Sequence, residues 1–301
     1  MRSLPSFAWR IIGYLKPEQR WGLPSHGAIV SALRCLAESK RLERAYDTNM
    51  MDYPFIVFVV SLVLLWFSAK VGAHLRQGRQ DLDEDDREDF EVIRTATLTL
   101  LGLLIGFSFS MAVARYDQRK NYEEAEANAI GTEYVRVGLL PAADASKVRE
   151  LLRSYVNQRV LFYTTRVERQ LDQIEASTAR LQSDLWSAIQ APALARPTPV
   201  VALAVSGMND VLNSQGYTQA AWWNRIPTAG WALMGAIAIC SNLLLGYTSH
   251  RCDGKTKRFF ILPLIVSVSF FLIADLDSPR GGVIRVSPQN LMSLFSNLQA
   301  P

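Results

Sequence analysis

Leu98–Ala129 reads LTLLGLLIGFSFSMAVARYDQRKNYEEAEANA, a hydrophobic run that turns polar without a proline or any other break. From Thr95 to Ala114 every residue is apolar, glycine or hydroxylated. At about 1.5 Å per residue these positions reach roughly the 30 Å of a bilayer's hydrocarbon core. Arg115 closes the run, and Asp117, Arg119, Lys120, Glu123, Glu124 and Glu126 follow at once. The pattern predicts one long helix, half in lipid and half in water. Gly102, Gly106, Ser108, Ser110, Ala112 and Ala114 favour close helix–helix packing over a solitary anchor. Thr95, Thr97 and Thr99 add a hydroxyl content unusual for a simple anchor.

Upstream, Phe55–Ala73 forms a first span, with Trp66 at an interface, Lys70 able to snorkel, and His74, Arg76 and Arg79 at its exit. Asp81, Asp83, Glu84, Asp85, Asp86, Glu88, Asp89 and Glu91 follow. They lack the central glycine and ordered spacing of a calcium loop, so a solvated acidic loop is favoured over a cation site. Downstream, the long helix is expected to run to Pro141. A second helix should open at Asp144 or Ser146 and continue to about Gln190, with Val167, Leu171, Ile174, Leu181, Leu185 and Ile189 as its apolar stripe. Prolines in Ala191–Pro199 interrupt it, and Val200–Trp223 resumes with Met208, Val211 and Leu212 on one side. Ala229–Tyr247 is the third span, behind an expected aromatic belt of Trp222, Trp223 and Trp231, and Phe259–Ala274 is the fourth.

The expected architecture is an all-α membrane protein with four transmembrane helices and a helical extramembrane domain between spans two and three. Its divisions are an N-terminal extension (1–50), a first hairpin (51–115), the helical domain (116–224), a second hairpin (225–280) and a C-terminal tail (281–301). Two hairpins place both termini and the helical domain on one side. Loops 76–94 and 248–258 hold eight basic residues against six on the short flanks opposite, a narrow lean toward cytoplasmic loops. Residues 1–50 contain no continuous apolar run, so they are not a secretory signal. Met50 and Met51 stand directly before the first span, and translation is expected to start there; a weakly structured cytoplasmic tail is the alternative.

Composition narrows the function. The chain has 301 residues and a net charge of +4, but residues 51–301 hold 24 basic and 24 acidic side chains. Nothing there suggests nucleic acid as a partner. Cys35, Cys240 and Cys252 show no metal spacing and no disulfide framework, and His26, His74 and His250 are scattered. No metal site, cofactor or phosphate loop is expected, and no nucleophile–base pair points to an enzyme.

Four strings carry a resemblance. LLGLLIGFSFSMAVARYDQR (100–119), EAEANAIGTEYVR (124–136), the pair Tyr155 and Arg159, and DLDSPRGG (275–282) together resemble the bestrophin-like membrane proteins of bacteria, over about residues 51–295. In the distantly related bestrophins, Leu-x-Gly-Phe followed by an arginine–aromatic pair marks the second span; here these are Leu104, Gly106, Phe107, Arg115 and Tyr116. The resemblance implies a multi-pass protein of the bacterial inner membrane, a homo-oligomer and by analogy a pentamer. It would pass small inorganic ions through a pore lined by this helix, with an apolar neck. Leu103, Gly106, Phe107 and Ser110 would then line the pore; plain packing between spans is the alternative for each. Arg115, Arg119, Glu126, Glu133, Asp275, Asp277 and Arg280 would form a charged mouth or vestibule. Asp275 and Asp277 are expected first to pair with Arg280, Arg115 or Arg119, and Glu126 to serve as polar packing. The dense acidic run that holds calcium in bestrophins is reduced here to those two aspartates beside Arg280, so calcium gating is not implied. The competing class is a non-conducting membrane-anchored scaffold or sensor whose helical domain binds a partner.

Overall fold

Pro141 decides where the long helix stops. Leu140 before it is extended (φ −83°, ψ 163°), as the clash with a following proline ring demands. In the computed structural model, which describes residues 53–76, 84–248 and 258–299, that helix runs unbroken from Glu84 to Arg136. Its 53 residues make it roughly 80 Å long. The described residues belong to one unit, Met50–Pro301. The expectations for residues 1–50, the start at Met50 or Met51, Asp81, Asp83, Cys252 and the basic turn after Thr248 lie outside the described residues.

Among the described residues the helices are α1 (Pro54–Arg76), α2 (Glu84–Arg136), α3 (Ala142–Thr164), α4 (Glu168–Ala195), α5 (Pro199–Trp223), α6 (Thr228–Thr248), α7 (Arg258–Asp277) and α8 (Gln289–Gln299), with a 3₁₀ turn at Val137–Leu139. No strand occurs among the described residues. Four stretches of the described residues are long and apolar enough to cross a membrane: α1, α2, α5 with α6, and α7. One apolar core joins α1, α2, α6 and α7 through Leu65, Leu101, Ala112, Met234, Phe270 and Ile273. A second fills the polar helical body around Ile130, Leu152, Tyr155, Leu185, Met208 and Leu291. Tyr116 packs against both.

Three expectations are corrected. The helix predicted from Asp144 to Gln190 is two: Thr165 (φ −78°, ψ 136°) and Val167 (φ −84°, ψ 115°) are extended. Folding back lets Leu171, Ile174, Leu185 and Ile189 share one core with Val148, Leu152 and Val156, which a straight helix could not do. Val167, predicted to lie on the stripe, is left 55% exposed at the turn. The break predicted at Ala191 comes later, because Pro192 falls near the helix end at Ala195. Thr198 then caps α5, accepting from the Val201 amide at 3.3 Å ahead of Pro199. The residues predicted as a tail, 281–301, contain α8, which packs on α2 and α3.

The expected aromatic belt is also revised. Trp222 is buried against Phe162 and Tyr163, and Trp231 against Phe270, leaving Trp223 exposed. These rings fill cores because their helices face protein at those positions.

Between α1 and α6 the backbones nearly touch. A Cβ on Gly72 would lie 2.1 Å from the Leu243 carbonyl oxygen, and one on Gly246 would lie 2.0 Å from that of Ala69. Small residues allow such contact where apolar surroundings supply little hydrophobic drive. The Ser68 hydroxyl donates to the Ile239 carbonyl at 2.8 Å and Arg76 to the Tyr247 carbonyl at 3.1 Å. Gly72→Leu or Gly246→Leu should therefore cost about 3 kcal/mol or more, measured by unfolding in detergent. Gly216→Ala, with nothing within 4 Å of the added carbon, should stabilise by about 0.5–1 kcal/mol.

Candidate functional site

From Leu101 onward helix α2 has two opposed faces. Ala112, Arg119, Glu123, Glu126, Ile130 and Glu133 are buried, spaced by sevens, fours and threes as one helical stripe that Val137 of the 3₁₀ turn continues. On the opposite side Leu103, Gly106, Phe107, Ser110, Ala114, Asp117, Asn121, Glu124, Asn128 and Thr132 are exposed or touched by little. Leu103 is 54% and Phe107 63% exposed, and a Cβ on Gly102 or Gly106 would meet nothing within 4 Å. The four residues predicted to line a pore thus share one exposed face, which none of the other described residues covers. Thr95 and Thr99 lie exposed with their hydroxyls turned back to the helix carbonyls of Glu91 and Thr95.

The charged residues predicted for a mouth are split among partners. Asp277 accepts from Arg115 at 3.2 Å and from the Ile226 amide through both oxygens, at 3.2 and 3.1 Å. Arg119 instead donates to the main-chain oxygens of Leu276 and Asp277 at 3.2 and 3.0 Å. Those are the last carbonyls of α7, the negative end of its dipole. Asp275 accepts from the Val283 and Ile284 amides at 2.6 and 2.8 Å, closing the loop after α7. That turn needs glycine at 282, since a Cβ would sit 2.6 Å from the Asp275 carbonyl oxygen.

Arg280 does not join these aspartates. It lies over the rings of Phe162 and Trp222, 4.6 and 4.4 Å from their centroids, and donates to the Phe162 and Thr165 carbonyls at 2.8 and 3.2 Å. It thereby caps the C-terminus of α3. Burial lowers its pKa to about 10, so the guanidinium stays charged near neutrality.

Deeper in the helical body, Glu126 meets Arg159 through both guanidinium branches, the longer at 3.3 Å, and accepts from Thr218 at 3.1 Å. Neither member of the pair is more than 2% exposed. Arg159 also lies over Phe162 at 4.5 Å. Tyr155, one turn before it, is fully buried and accepts from Gln182 at 3.3 Å; burial pushes its phenol well above the usual tyrosine range. Glu126 and Glu133 are both fully buried, so neither meets solvent in the protomer. Sequence reasoning missed Glu123, which accepts from Asn290 at 2.7 Å and from the Leu291 amide at 2.9 Å. It caps the N-terminus of α8. The signal was present: charges at 119, 123, 126 and 133 fall on one side of a helix.

A buried pair of this kind is most costly when half of it is removed. Arg159→Met should destabilise by about 3–5 kcal/mol by stranding the Glu126 carboxylate, and adding Glu126→Leu should recover much of that loss. Unfolding of both variants in detergent measures it; a double variant no more stable than the single would refute the stranded-charge account.

Among solved structures, a tryptophan-to-alanine variant of a bacterial bestrophin homolog from Klebsiella pneumoniae is 13% identical, covers 80% of this chain and 95% of its own, and has a TM-score of 0.59. A tyrosine-to-alanine variant of that homolog gives 13%, 80%, 97% and 0.59. The form phased with zinc gives 14%, 81%, 99% and 0.55. At such identity the likeness is one of fold. A comparison with curated protein sequences finds no match. The Bestrophin-like domain model matches residues 55–291, and the chain belongs to the Bestrophin-like family.

Proposed function

We propose that this chain forms a homo-oligomeric pore for small inorganic ions in the bacterial inner membrane. The hairpins (51–115 and 225–280) lie in lipid, and the helical body (116–224) stands outside it. The open face of α2 lines the pathway, in a pentamer by analogy with the bestrophins. The observation that carries this reading is the uncovered face of α2, which continues from Leu103 and Phe107 at membrane depth to Thr132 in the polar body. Copies packed around an axis would cover that face with one another. Leu103 and Phe107, one turn apart, would then form a neck that resists wetting.

The charges beyond the neck support a preference for cations. Asp117 and Glu124 lie on the open side, while Arg115 and Arg119 turn inward to α7. Lys120 stands about a quarter turn to one side of the line through Leu103. Rings of carboxylates along a pore favour cations.

Reconstituted liposomes test both points. Leu103→Ala with Phe107→Ala should raise ion flux, about tenfold for each ~1.4 kcal/mol removed from the dewetting barrier. No flux from wild type or double variant, with oligomers confirmed intact, would favour the non-conducting scaffold. Asp117→Asn with Glu124→Gln should move the reversal potential away from that of the cation in a salt gradient; an unmoved potential would place selectivity elsewhere.

A further inference from the structure

Glu133 is a carboxyl group with nothing to bind. It is fully buried, and neither side-chain oxygen has a hydrogen-bond partner. The other inward carboxylates of α2 differ: Glu123 and Glu126 each accept from donors on neighbouring helices. Glu133 lies where α2 crosses α5, its Oε2 only 2.0 Å from where a Cβ on Gly207 would be. Glycine at 207 is what admits the carboxyl to the contact.

Few charges face this group. The cation nearest it is Arg136 on the same helix, whose Nη1 lies 2.8 Å from that same point beside Gly207 without hydrogen-bonding the carboxyl, and 3.9 Å from Asp210 on α5, at an exposed edge. Asp210 is the one charged residue of α5, and α8 carries none. Arg149 of α3 turns to the Tyr134 carbonyl and ring instead. An ionised carboxylate buried without donors costs several kcal/mol, so such a group keeps its proton.

We propose that Glu133 is a proton-binding site at the α2–α5 crossing, holding α2 against Gly207 while protonated and loosening that contact when it ionises. The direction of the pH response follows. Glu133 lies well beyond the stretch of α2 that ends at Ala114, and burial raises its pKa from 4.5 to about 8, with Arg136 opposing and Asp210 adding. Between those values the folded protein binds a proton that the unfolded chain does not, so stability falls as pH rises from about 4.5 to about 8. The proposal does not depend on ion conduction, but the helix it would free is the one bearing the open face.

The test is the thermal midpoint of the full chain in detergent, followed from about pH 5 to about pH 9. Glu133→Gln, a neutral isostere, should remove part of the decline and raise the midpoint by several degrees at the alkaline end. A decline identical to wild type would overturn the proposal. Infrared spectroscopy supplies a second readout: the wild type should show a protonated-carboxyl band that disappears as pH passes about 8 and is missing from Glu133→Gln. Should that variant not fold, Asp210→Asn, at an exposed position, should shift the band's titration to lower pH by removing the negative neighbour. A titration left unmoved would overturn the proposal.

Discussion

Charge on the buried face of α2 is the constraint on which the rest of the polar body depends. A helix of 53 residues that turned leucines inward could accept many neighbours in many registers. This one turns in Arg119, Glu123 and Glu126, and each needs a complementary group at hydrogen-bonding distance. Arg119 takes the final carbonyls of α7, Glu123 the Leu291 amide and Asn290 side chain at the start of α8, and Glu126 the guanidinium of Arg159 on α3 with the hydroxyl of Thr218 on α5. Four helices are thereby placed along α2. The apolar core around Ile130 and Leu152 supplies the bulk of the burial, and the charges supply the register.

Helix termini do much of this work. Arg119 and Arg280 sit at the carbonyl ends of α7 and α3, and Glu123 at the amide end of α8. In each case the side-chain charge opposes the helix dipole, and it satisfies backbone groups that no intrahelical bond can reach. The loop after α7 is stitched by the same logic. Asp275 gathers two loop amides, Asp277 bridges Arg115 and Ile226, and Gly282 allows the chain to turn tightly over Asp275. The junction between membrane helices and polar body is thus held by a set of hydrogen bonds.

Within the apolar half the means of packing change. Gly72 and Gly246 bring α1 and α6 to backbone contact, and Ser68 adds a bond across them. Gly102 and Gly106 on α2 have the same small surface, but a Cβ on either would meet nothing within 4 Å. That contrast separates glycines used inside the fold from glycines on a face still open, and it is why the open face bears on function.

The sequence by itself determined the four apolar stretches and the continuity of α2 from apolar to polar sequence. Those are local properties, set by residue length, hydropathy and a 3.6-residue repeat. Only the tertiary structure decided what each charge does. Arg115 and Arg280 look alike in sequence, yet one reaches Asp277 and the other leaves for Phe162 and Trp222. Glu126 and Glu133, seven residues apart, share a face, yet one meets an arginine and the other a glycine. The split of the 144–190 segment and the presence of α8 were hidden for the same reason. A helix ends or begins there because a distant core and a distant carboxylate stabilise it, and partners so far apart in the chain leave no local pattern to read.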